Sequence, residues 1–291
     1  MGPVSHGAES ADAPGPASPD FSPNRFPSVT EPEIPLTGGT LNPVVRVDDT
    51  VRRPAGSWTP TIHALLRHVR DQGFDLGPEP LGVDQLGREI LTYIPGTTVG
   101  WSVPWPEVIR SDDLLAQVGR AAARYHRAVA DFRPPGTVPW QSGSAALGGS
   151  EIVCHNDIAP YNVVLAGRRL VGIIDWDLAG PGSARSDLAF VAWQWVPLHG
   201  PYVTRFLGWE APPNRARRLR LLLDAYGLED RAGFIDDVVD RIGDNRATMA
   251  RRAAEGNRAY QSLVEQGHLA GMDEAAGFLT EEGARLQEAI S

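Results

Sequence analysis

Two short segments, CHNDIAPYNVVL (154–165) and VGIIDWDL (171–178), combine apolar residues with polar ones that a buried strand end does not normally carry. In the first segment, Asp157 precedes Asn162 by five residues, and in the second, Asp175 follows an apolar run directly. Burying a polar group without a partner costs free energy, so these side chains are expected to have a functional role. The pattern predicts a strand, a loop, a short strand, a turn and a strand, with the polar groups near one rim.

The chemistry available at this rim follows from its oxygen atoms. Two carboxylates, Asp157 and Asp175, and the amide of Asn162 suit a hard divalent cation that keeps several water ligands. One carboxylate can then orient a hydroxyl nucleophile and accept its proton, while the amide and the metal hold phosphates. The arrangement therefore indicates metal-dependent phosphoryl transfer to a hydroxyl group.

The motif H-x-D-x-x-x-x-N, followed by an apolar strand and I-D-W, resembles the catalytic core of the aminoglycoside phosphotransferase and choline kinase-like family, relatives of the protein kinases. The resemblance implies that Asp157 is the catalytic base and that Asn162 and Asp175 bind Mg²⁺. It also implies that ATP or GTP donates the phosphoryl group. His155 would support the catalytic loop, as would Asp187, which could at the same time cap the helix that it begins.

The resemblance implies an α+β fold of the two-lobed, protein kinase-like type, with a small antiparallel sheet and one helix in the N-lobe and a mainly helical C-lobe. The predicted parts are a Pro-, Ser- and Ala-rich leader at 1–33, expected to be disordered, an N-lobe at 34–97 and a C-lobe at 98–291. The N-lobe pattern predicts the element order β-β-β-α-β-β. Helices are predicted at 57–71, 111–132, 186–195, 214–226, 231–255, 256–268 and 280–290.

Nucleotide binding is assigned to two parts of the N-lobe. Gly38 and Gly39 lie between two short strands, where backbone N–H groups could cover a triphosphate, although a plain hairpin fits the same residues. The segment ILTYIPG resembles the hinge that meets the nucleotide base in this family, which implies Tyr93 and Ile94 as contacts. The alternative is an ordinary strand that ends in a Pro-Gly turn.

All 27 basic residues are arginine, and lysine does not occur, which excludes a Gly-Lys-Ser/Thr phosphate loop. In the kinase-like pattern, a strand lysine binds the phosphates and pairs with a helix glutamate, so the lysine must be replaced here. The resemblance favours Arg52, with Arg53 on the other face of the strand as the alternative, and arginine can hold phosphate through two hydrogen bonds. The next helix has no acidic residue before Asp71, and His63 occupies the approximate place of the glutamate.

Composition narrows the class of protein. The chain has 291 residues, 42% of them hydrophobic, and no run reaches the roughly 18 apolar residues of a membrane span. The net charge of −9 disfavours nonspecific nucleic-acid binding and is compatible with cationic acceptors. We therefore expect a cytoplasmic protein whose partners are a nucleotide and a small molecule, with no nucleic acid and no membrane.

The sequence does not choose the acceptor. Acidic residues in the later helices could attract an amine or form solvated helix faces, and aromatic residues there could stack on a ring or fill the core. The acidic residues are Asp224, Glu229, Asp230, Asp236, Asp237, Asp240 and Asp244, and the aromatic ones are Trp193, Trp195, Tyr202 and Trp209. Aminoglycosides, choline-like amines, amino alcohols and sugars are all candidate acceptors.

Our interpretation is a magnesium-dependent small-molecule kinase that transfers a γ-phosphoryl group to the hydroxyl of an aminoglycoside-like or other small acceptor, preferably one with an amine. Because the lysine–glutamate pair is missing, an alternative function stays open. In it, the chain is a catalytically weak nucleotide-binding protein of the same fold that acts by interaction with other molecules. The residues also fit an H-x-D motif without chemistry, or a metallohydrolase with His155 and Asp157 as ligands. The lack of an H-x-H or H-E-x-x-H pair disfavours the hydrolase.

Overall fold

An antiparallel sheet with a single connecting helix begins the fold in the computed structural model, which describes residues 32–36, 44–100 and 103–291. The strands are β1 (Ile34–Pro35), β2 (Val45–Val47), β3 (Thr50–Pro54), β4 (Pro80–Val83) and β5 (Arg88–Thr92), in the order β1-β2-β3-β5-β4. Helix α1 (Thr59–Asp71) connects β3 to β4. The predicted order of elements is confirmed.

Helix α1 forms because apolar residues recur at three- and four-residue steps. Ile62, Leu65 and Val69 are buried on one face. Ser57 and Thr59 are candidate N-caps in the sequence, but neither one caps the helix, because the N-cap residue is Trp58 and no side chain accepts a hydrogen bond there. The Thr59 hydroxyl instead accepts the N–H of Gly56 at 2.9 Å. The indole of Trp58 makes a separate contact, which is described below.

The register of β3 against β5 decides which side chains share a face of the sheet. Arg53 lies directly opposite Glu89, and Arg52 lies opposite Ile90. Residues directly opposite each other on neighbouring strands point to the same face, and consecutive residues alternate between faces. Arg53 and Glu89 therefore share one face, and Arg52 and Ile90 share the other.

Eight helices in the described residues follow the sheet: α2 (Glu107–Arg110), α3 (Asp112–Ala128), α4 (Ala184–Trp195), α5 (Pro201–Phe206), α6 (Arg215–Tyr226), α7 (Phe234–Ala254), α8 (Arg258–Glu265) and α9 (His268–Ile290). Ser111 caps α3 as predicted, since its Oγ accepts the N–H of Leu114 at 3.2 Å. The prediction of a last helix at 280–290 was too short. Helix α9 begins at His268 because buried residues such as Met272 and Leu279 anchor its first half, despite interrupting glycines.

The two chemistry-bearing segments pair with each other twice. Strands β9 (Val163–Ala166) and β10 (Arg169–Ile173) form a hairpin, and β8 (Ile152–Cys154) pairs with β11 (Gly180–Gly182). The predicted succession of strand, loop, strand, turn and strand is confirmed. Because pairing occurs on both sides of them, the loops at 155–162 and 174–179 are held against each other.

Residues Glu33–Ser291 form one compact unit, and a continuous set of buried apolar residues links α1 to the helices as far as α9. A short hairpin, β6 (Val138–Trp140) and β7 (Gly143–Ala145), lies between α3 and β8. The lobe boundary near residue 97 stays a prediction, and most of the predicted leader lies outside the described residues. In the described part of the chain, no helix is both long and apolar enough to cross a membrane.

Candidate active site

One buried carboxylate fixes the loop between β8 and β9. Asp187, in the first turn of α4, accepts the backbone N–H groups of His155 at 3.0 Å and of Asn156 at 2.9 Å. His126 contacts the same carboxylate through Nε2 at 3.0 Å. Asp187 thus has the position that a loop support requires. It is not the cap of α4, because that place belongs to Ser183, whose side chain accepts a backbone N–H.

A second support comes from helix α7. Asn156 has a left-handed backbone with φ of 68°, a conformation that a non-glycine residue adopts at a cost. Arg241 donates to both the side-chain oxygen of Asn156, at 3.1 Å, and its carbonyl oxygen, at 3.0 Å. These contacts and the carboxylate of Asp187 hold the turn that precedes Asp157.

The position of His155 suits a residue that supports the loop rather than one that coordinates a metal ion. Its side chain is fully buried, its Nδ1 accepts the N–H of Asp157 at 3.2 Å, and its ring lies 4.4 Å from that of Trp176. Burial lowers the pKa of His155 to about 4, so the imidazole is neutral at pH 7. The position agrees with the predicted support of the catalytic loop and not with a metallohydrolase ligand.

Asp157 lies at the centre of the loop with neutral donors around it. Tyr161 donates its hydroxyl to Oδ1 at 3.0 Å, and Asn162 donates Nδ2 to Oδ2 at 2.7 Å. Burial raises the pKa of Asp157 to about 8, and the nearby charge of Asp175 adds to the effect. A carboxylate whose pKa lies near the working pH is suited to take a proton from a hydroxyl group.

Asn162 and Asp175 are neighbours across the two loops. The N–H of Ile174 donates to the carbonyl oxygen of Asn162 at 2.9 Å. The Nδ2 of Asn162 also donates to the carbonyl oxygen of Asp157, at 3.0 Å, so the amide oxygen is the atom suited to a cation. Asp175 has φ of 64°, and its side chain is 52% exposed.

These donors fit a magnesium ion. Asn162 and Asp175 offer hard oxygen atoms, and Mg²⁺ is usually bound by one or two carboxylates together with waters and substrate phosphates. Across 32–36, 44–100 and 103–291, no three His, Cys, Asp or Glu side chains are grouped as a metal cage. The donor set is therefore one that a phosphate-bearing ligand would complete.

Arg53, rather than Arg52, reaches this site. Arg53 donates from Nη1 to Asp175 Oδ1 at 3.0 Å and from Nη2 to Asp177 Oδ1 at 2.9 Å. Arg52 lies on the opposite face of β3, where its Nη1 is 3.9 Å from Asp84 Oδ2. The preference for Arg52 is corrected by this register, and the alternative, Arg53, has the position expected of a phosphate-binding cation.

Tyr161 and Arg241 on the loop side of the site were missed in the sequence, and so were three residues on the Arg53 side. Glu89, on β5, accepts Arg53 Nε at Oε1 with a distance of 2.5 Å, and Trp58 donates Nε1 to Asp177 at 3.1 Å. Asp177 follows Asp175 by two residues, which was a local signal that could have identified it. Glu89 has no such signal, because only the pairing of β3 with β5 brings it to Arg53.

The predicted nucleotide contacts of the sheet are only partly tested. Tyr93 donates its N–H to the carbonyl oxygen of Asp49 at 2.8 Å, so this group is engaged in the sheet. Ile94 packs on β10, where a Cβ at Gly172 would lie 2.8 Å from Ile94 Cδ1. Gly38 and Gly39 lie outside the described residues. Contact of Tyr93 and Ile94 with a nucleotide base stays a prediction.

Two of the acidic residues in the later helices are engaged in ion pairs with arginine and are therefore not free for an amine. Asp224 forms an ion pair with Arg231, and Asp237 forms one with Arg185. Of the aromatic candidates, Trp195 fills the core behind the catalytic loop, since it is buried and donates Nε1 to a carbonyl oxygen of that loop at 2.8 Å.

Comparison with known proteins gives two sequence matches. The model of the phosphotransferase enzyme family matches residues 139–222, a stretch that includes Asp157, Asn162 and Asp175. The chain is also 36% identical over 228 residues to the trifolitoxin immunity protein of Rhizobium leguminosarum bv. trifolii. That match covers 76% of this chain and 85% of the relative.

Solved structures share the fold at low sequence identity. A choline/ethanolamine kinase family protein from Mesorhizobium loti is similar with a TM-score of 0.58 and 20% identity, over 90% of this chain and 93% of that one. An amicoumacin kinase solved in complex with AMP-PNP, Ca²⁺ and Ami is similar with a TM-score of 0.57 and 11% identity, over 80% and 88% of the two chains. With its α+β, protein kinase-like fold and these two sequence matches, this chain belongs to the phosphotransferase enzyme family.

Proposed function

We propose that this protein is a kinase that transfers the γ-phosphoryl group of ATP or GTP to a hydroxyl group of a small molecule. The observation that carries the proposal is the meeting of three kinds of group at one place. Asp157 is a half-buried base, Asn162 and Asp175 are cation donors beside it, and Arg53 contacts the second of these donors. Phosphoryl transfer needs a base, a metal and a cation that neutralises phosphate charge, arranged together.

Asp157 acts as the base in this proposal. Its carboxylate orients the acceptor hydroxyl and takes its proton as the oxygen attacks the γ-phosphorus. The bond from that phosphorus to the bridging oxygen of the β-phosphate breaks, and the nucleoside diphosphate leaves. Tyr161 and Asn162 hold the carboxylate in one orientation, while the supports of the loop fix its backbone. Positioning of this kind accounts for a large part of the rate enhancement of phosphoryl transfer.

Asn162 and Asp175 would hold Mg²⁺ in this proposal. When bound there, the ion would neutralise charge on the donor's phosphates. The half-exposed carboxylate of Asp175 keeps access to solvent, as a ligand for such an ion requires. Burial acts to lower the pKa of Arg53, but the charges of Asp177, Glu89 and Asp175 outweigh it and raise that pKa. The guanidinium is therefore charged and can hold phosphate.

The contact between Arg53 and Glu89 bears on the alternative of a catalytically weak nucleotide-binding protein. That alternative arose because the lysine is replaced and α1 carries no glutamate before Asp71. Arg53 nevertheless has a buried carboxylate partner in Glu89. This contact supports the kinase over the nucleotide-binding protein.

For the acceptor we propose a hydroxyl-bearing antibiotic or toxin. The relative with 36% identity is named for immunity to a toxin, and one protein of similar fold is a kinase of amicoumacin. The engaged acidic residues Asp224 and Asp237 give no reason to require an amine on the acceptor. Phosphorylation of the toxin by this protein would then protect the cell from that toxin.

A transfer assay tests the proposal. Purified protein with Mg²⁺ and γ-labelled ATP or GTP is offered a panel of hydroxylated antibiotics, peptide toxins, amino alcohols and sugars, and we expect label to appear on a member of the antibiotic or toxin group. The label should not appear when the metal is chelated. Nucleotide binding without transfer to any acceptor would favour the nucleotide-binding protein, and absence of nucleotide binding would contradict both.

A further inference from the structure

Glu89 is a buried carboxylate with a separate partner for each of its oxygen atoms. Its residue is 1% exposed and stands directly opposite Arg53 on the neighbouring strand. Oε1 accepts Arg53 Nε at 2.5 Å, and Oε2 contacts Nε2 of His63, on α1, at 2.9 Å. We call these three residues, Arg53, Glu89 and His63, the Arg53 network.

The Arg53 network differs from the ion pairs on the protein surface. His63 and Glu89 are both buried, whereas the side chains of Arg246 and Asp273, for example, are 44% and 56% exposed. A buried carboxylate is tolerated only when charged and polar partners replace its water, so the geometry of this contact is closely determined. Surface pairs have no such requirement.

The contact with Glu89 sets the direction in which Arg53 points. A guanidinium is planar, so holding its Nε at Glu89 restricts where both terminal nitrogen atoms can lie. One of those atoms contacts Asp175, a cation donor of the site, and the other contacts Asp177, two residues further on. Without Glu89 the side chain could turn about its flexible stem and withdraw these nitrogen atoms from the site.

We propose that Glu89, held by His63, is a positioning residue that aims the terminal nitrogen atoms of Arg53 at the phosphates of the bound nucleotide. The acidic partner of the phosphate-binding cation is thus supplied by strand β5, and α1 supplies a histidine that holds this acid. The inference rests on the proposed function, since it requires that the protein bind a nucleoside triphosphate.

The test compares a ligand that has phosphates with one that lacks them. Titration measures the affinity for the magnesium complex of the nucleoside triphosphate. Titration followed by ligand-observed NMR measures the affinity for the plain nucleoside. For Glu89→Gln we expect about a tenfold or larger loss of triphosphate affinity, the size of a lost charge-assisted contact, and no change for the nucleoside. Asp84→Asn, which alters another carboxylate that contacts arginines of the same sheet, should change neither affinity.

Two further variants separate positioning from folding. Once Arg53→Ala has been made, adding Glu89→Gln should cause no further loss of triphosphate affinity, because residues that act through one another are not additive. If Glu89→Gln does not fold, His63→Gln takes its place, with a smaller loss for the triphosphate alone. Glu89→Asp, which keeps the charge, should retain part of the affinity.

The outcomes separate this inference from the proposed function. A wild-type protein that binds no nucleotide would contradict the proposed function. Wild-type binding of the triphosphate with equal binding by Glu89→Gln would overturn the positioning role, as would equal losses for triphosphate and nucleoside, which are expected of a purely structural residue. The positioning role would also be overturned if Glu89→Gln reduced triphosphate affinity by the same factor in Arg53→Ala as in the wild type.

Discussion

Two carboxylates on opposite sides of the site, Asp157 half-buried and Glu89 buried, have opposite electrostatic surroundings. On the loop side, Asp157 is bonded by the neutral donors Tyr161 and Asn162, and burial raises its pKa to about 8. On the sheet side, burial also acts to raise the pKa of Glu89, but His63 and Arg53 outweigh it and lower that pKa. Burial alone therefore does not decide protonation. The partner decides it, and one acid becomes suited to accept a proton while the other stays an anion.

The two sides are also assembled from different distances along the chain. The residues bonded to Asp157 lie within five positions of it. The partners of Arg53 are far away in sequence: Glu89 is 36 positions from it, and Asp175 is 122. A local turn therefore positions the proposed base, Asp157, and tertiary structure positions the proposed phosphate-binding cation, Arg53. We expect substitutions on the loop side to affect transfer and those on the sheet side to affect nucleotide binding.

The largest effect is expected on the loop side. Asp157→Asn removes the base and leaves the cation donors Asn162 and Asp175 in place. Transfer should fall by roughly a hundredfold or more, the contribution of a general base together with positioning. Magnesium-nucleotide affinity should stay close to that of the wild type, as calorimetry can show. Wild-type turnover in this variant would remove Asp157 from the mechanism.

The next effect concerns the cation donors, which lie between the two sides. Asp175→Ala should weaken magnesium-dependent nucleotide binding more than Asn162→Ala does, because it removes a full negative charge from the ion's surroundings. Titrations with and without Mg²⁺ measure the difference, and chelation of the metal should bring the two variants and the wild type close together. Equal affinity of all three proteins in the presence of metal would contradict the assignment of both residues.

The two neighbouring arginines sharpen the comparison on the sheet side. Arg53→Ala should cost about 1.5–3 kcal/mol of binding free energy, or roughly ten- to a hundredfold in nucleotide affinity. Arg52→Ala serves as the matched control on the opposite face and should have little effect. The ranking follows from the register of β3 and would be refuted by a larger loss for Arg52→Ala.

Local patterns account for the parts of the site that could be predicted from the sequence. The loop around Asp157, its spacing to Asn162 and the strand before Asp175 are set by neighbours in the chain, and their structure agrees with the prediction. The choice between Arg52 and Arg53 needed the face of β3, which depends on packing against α1. Alternation in the sequence shows only that the two arginines point in opposite directions.

Contacts between distant residues explain what could not be predicted. Glu89 lies in a strand that also contains the polar residues Arg88 and Thr92, and nothing near it in sequence identifies Arg53 as its partner. The first half of α9 was missed for a similar reason, since Gly271 and Gly277 weaken its helical pattern and burial of Met272 and Leu279 offsets that weakness. In both cases tertiary packing determines the result.

The smallest effect is the change in the free energy of unfolding per pH unit. Its sign differs between Asp157 and Glu89. The pKa of Asp157 is raised on folding, from about 3.9 in an unfolded chain to about 8. The folded state therefore binds more protons, and its stability relative to Asp157→Asn falls as pH rises through this range, by at most about 1.4 kcal/mol per pH unit. The pKa of Glu89 is lowered on folding. Its stabilising contribution is present above the unfolded pKa and is lost as pH falls below it.

Urea unfolding of the metal-free protein between about pH 3 and 8 measures both signs, because Glu89 loses its stabilising contribution only below its unfolded pKa of about 4.3. The stability of Asp157→Asn minus that of the wild type should increase with pH across the range. The stability deficit of Glu89→Gln should be full at neutral pH and diminish toward pH 4 and below. Measuring each variant against the wild type at every pH cancels the titration of groups that do not interact with the substituted carboxylate. Groups that do interact with it, such as His63 beside Glu89, contribute to the slope together with it. If both differences changed in the same direction, the two acids would have similar electrostatic surroundings, and the division of the site into a proton-accepting side and a permanently charged side would be wrong.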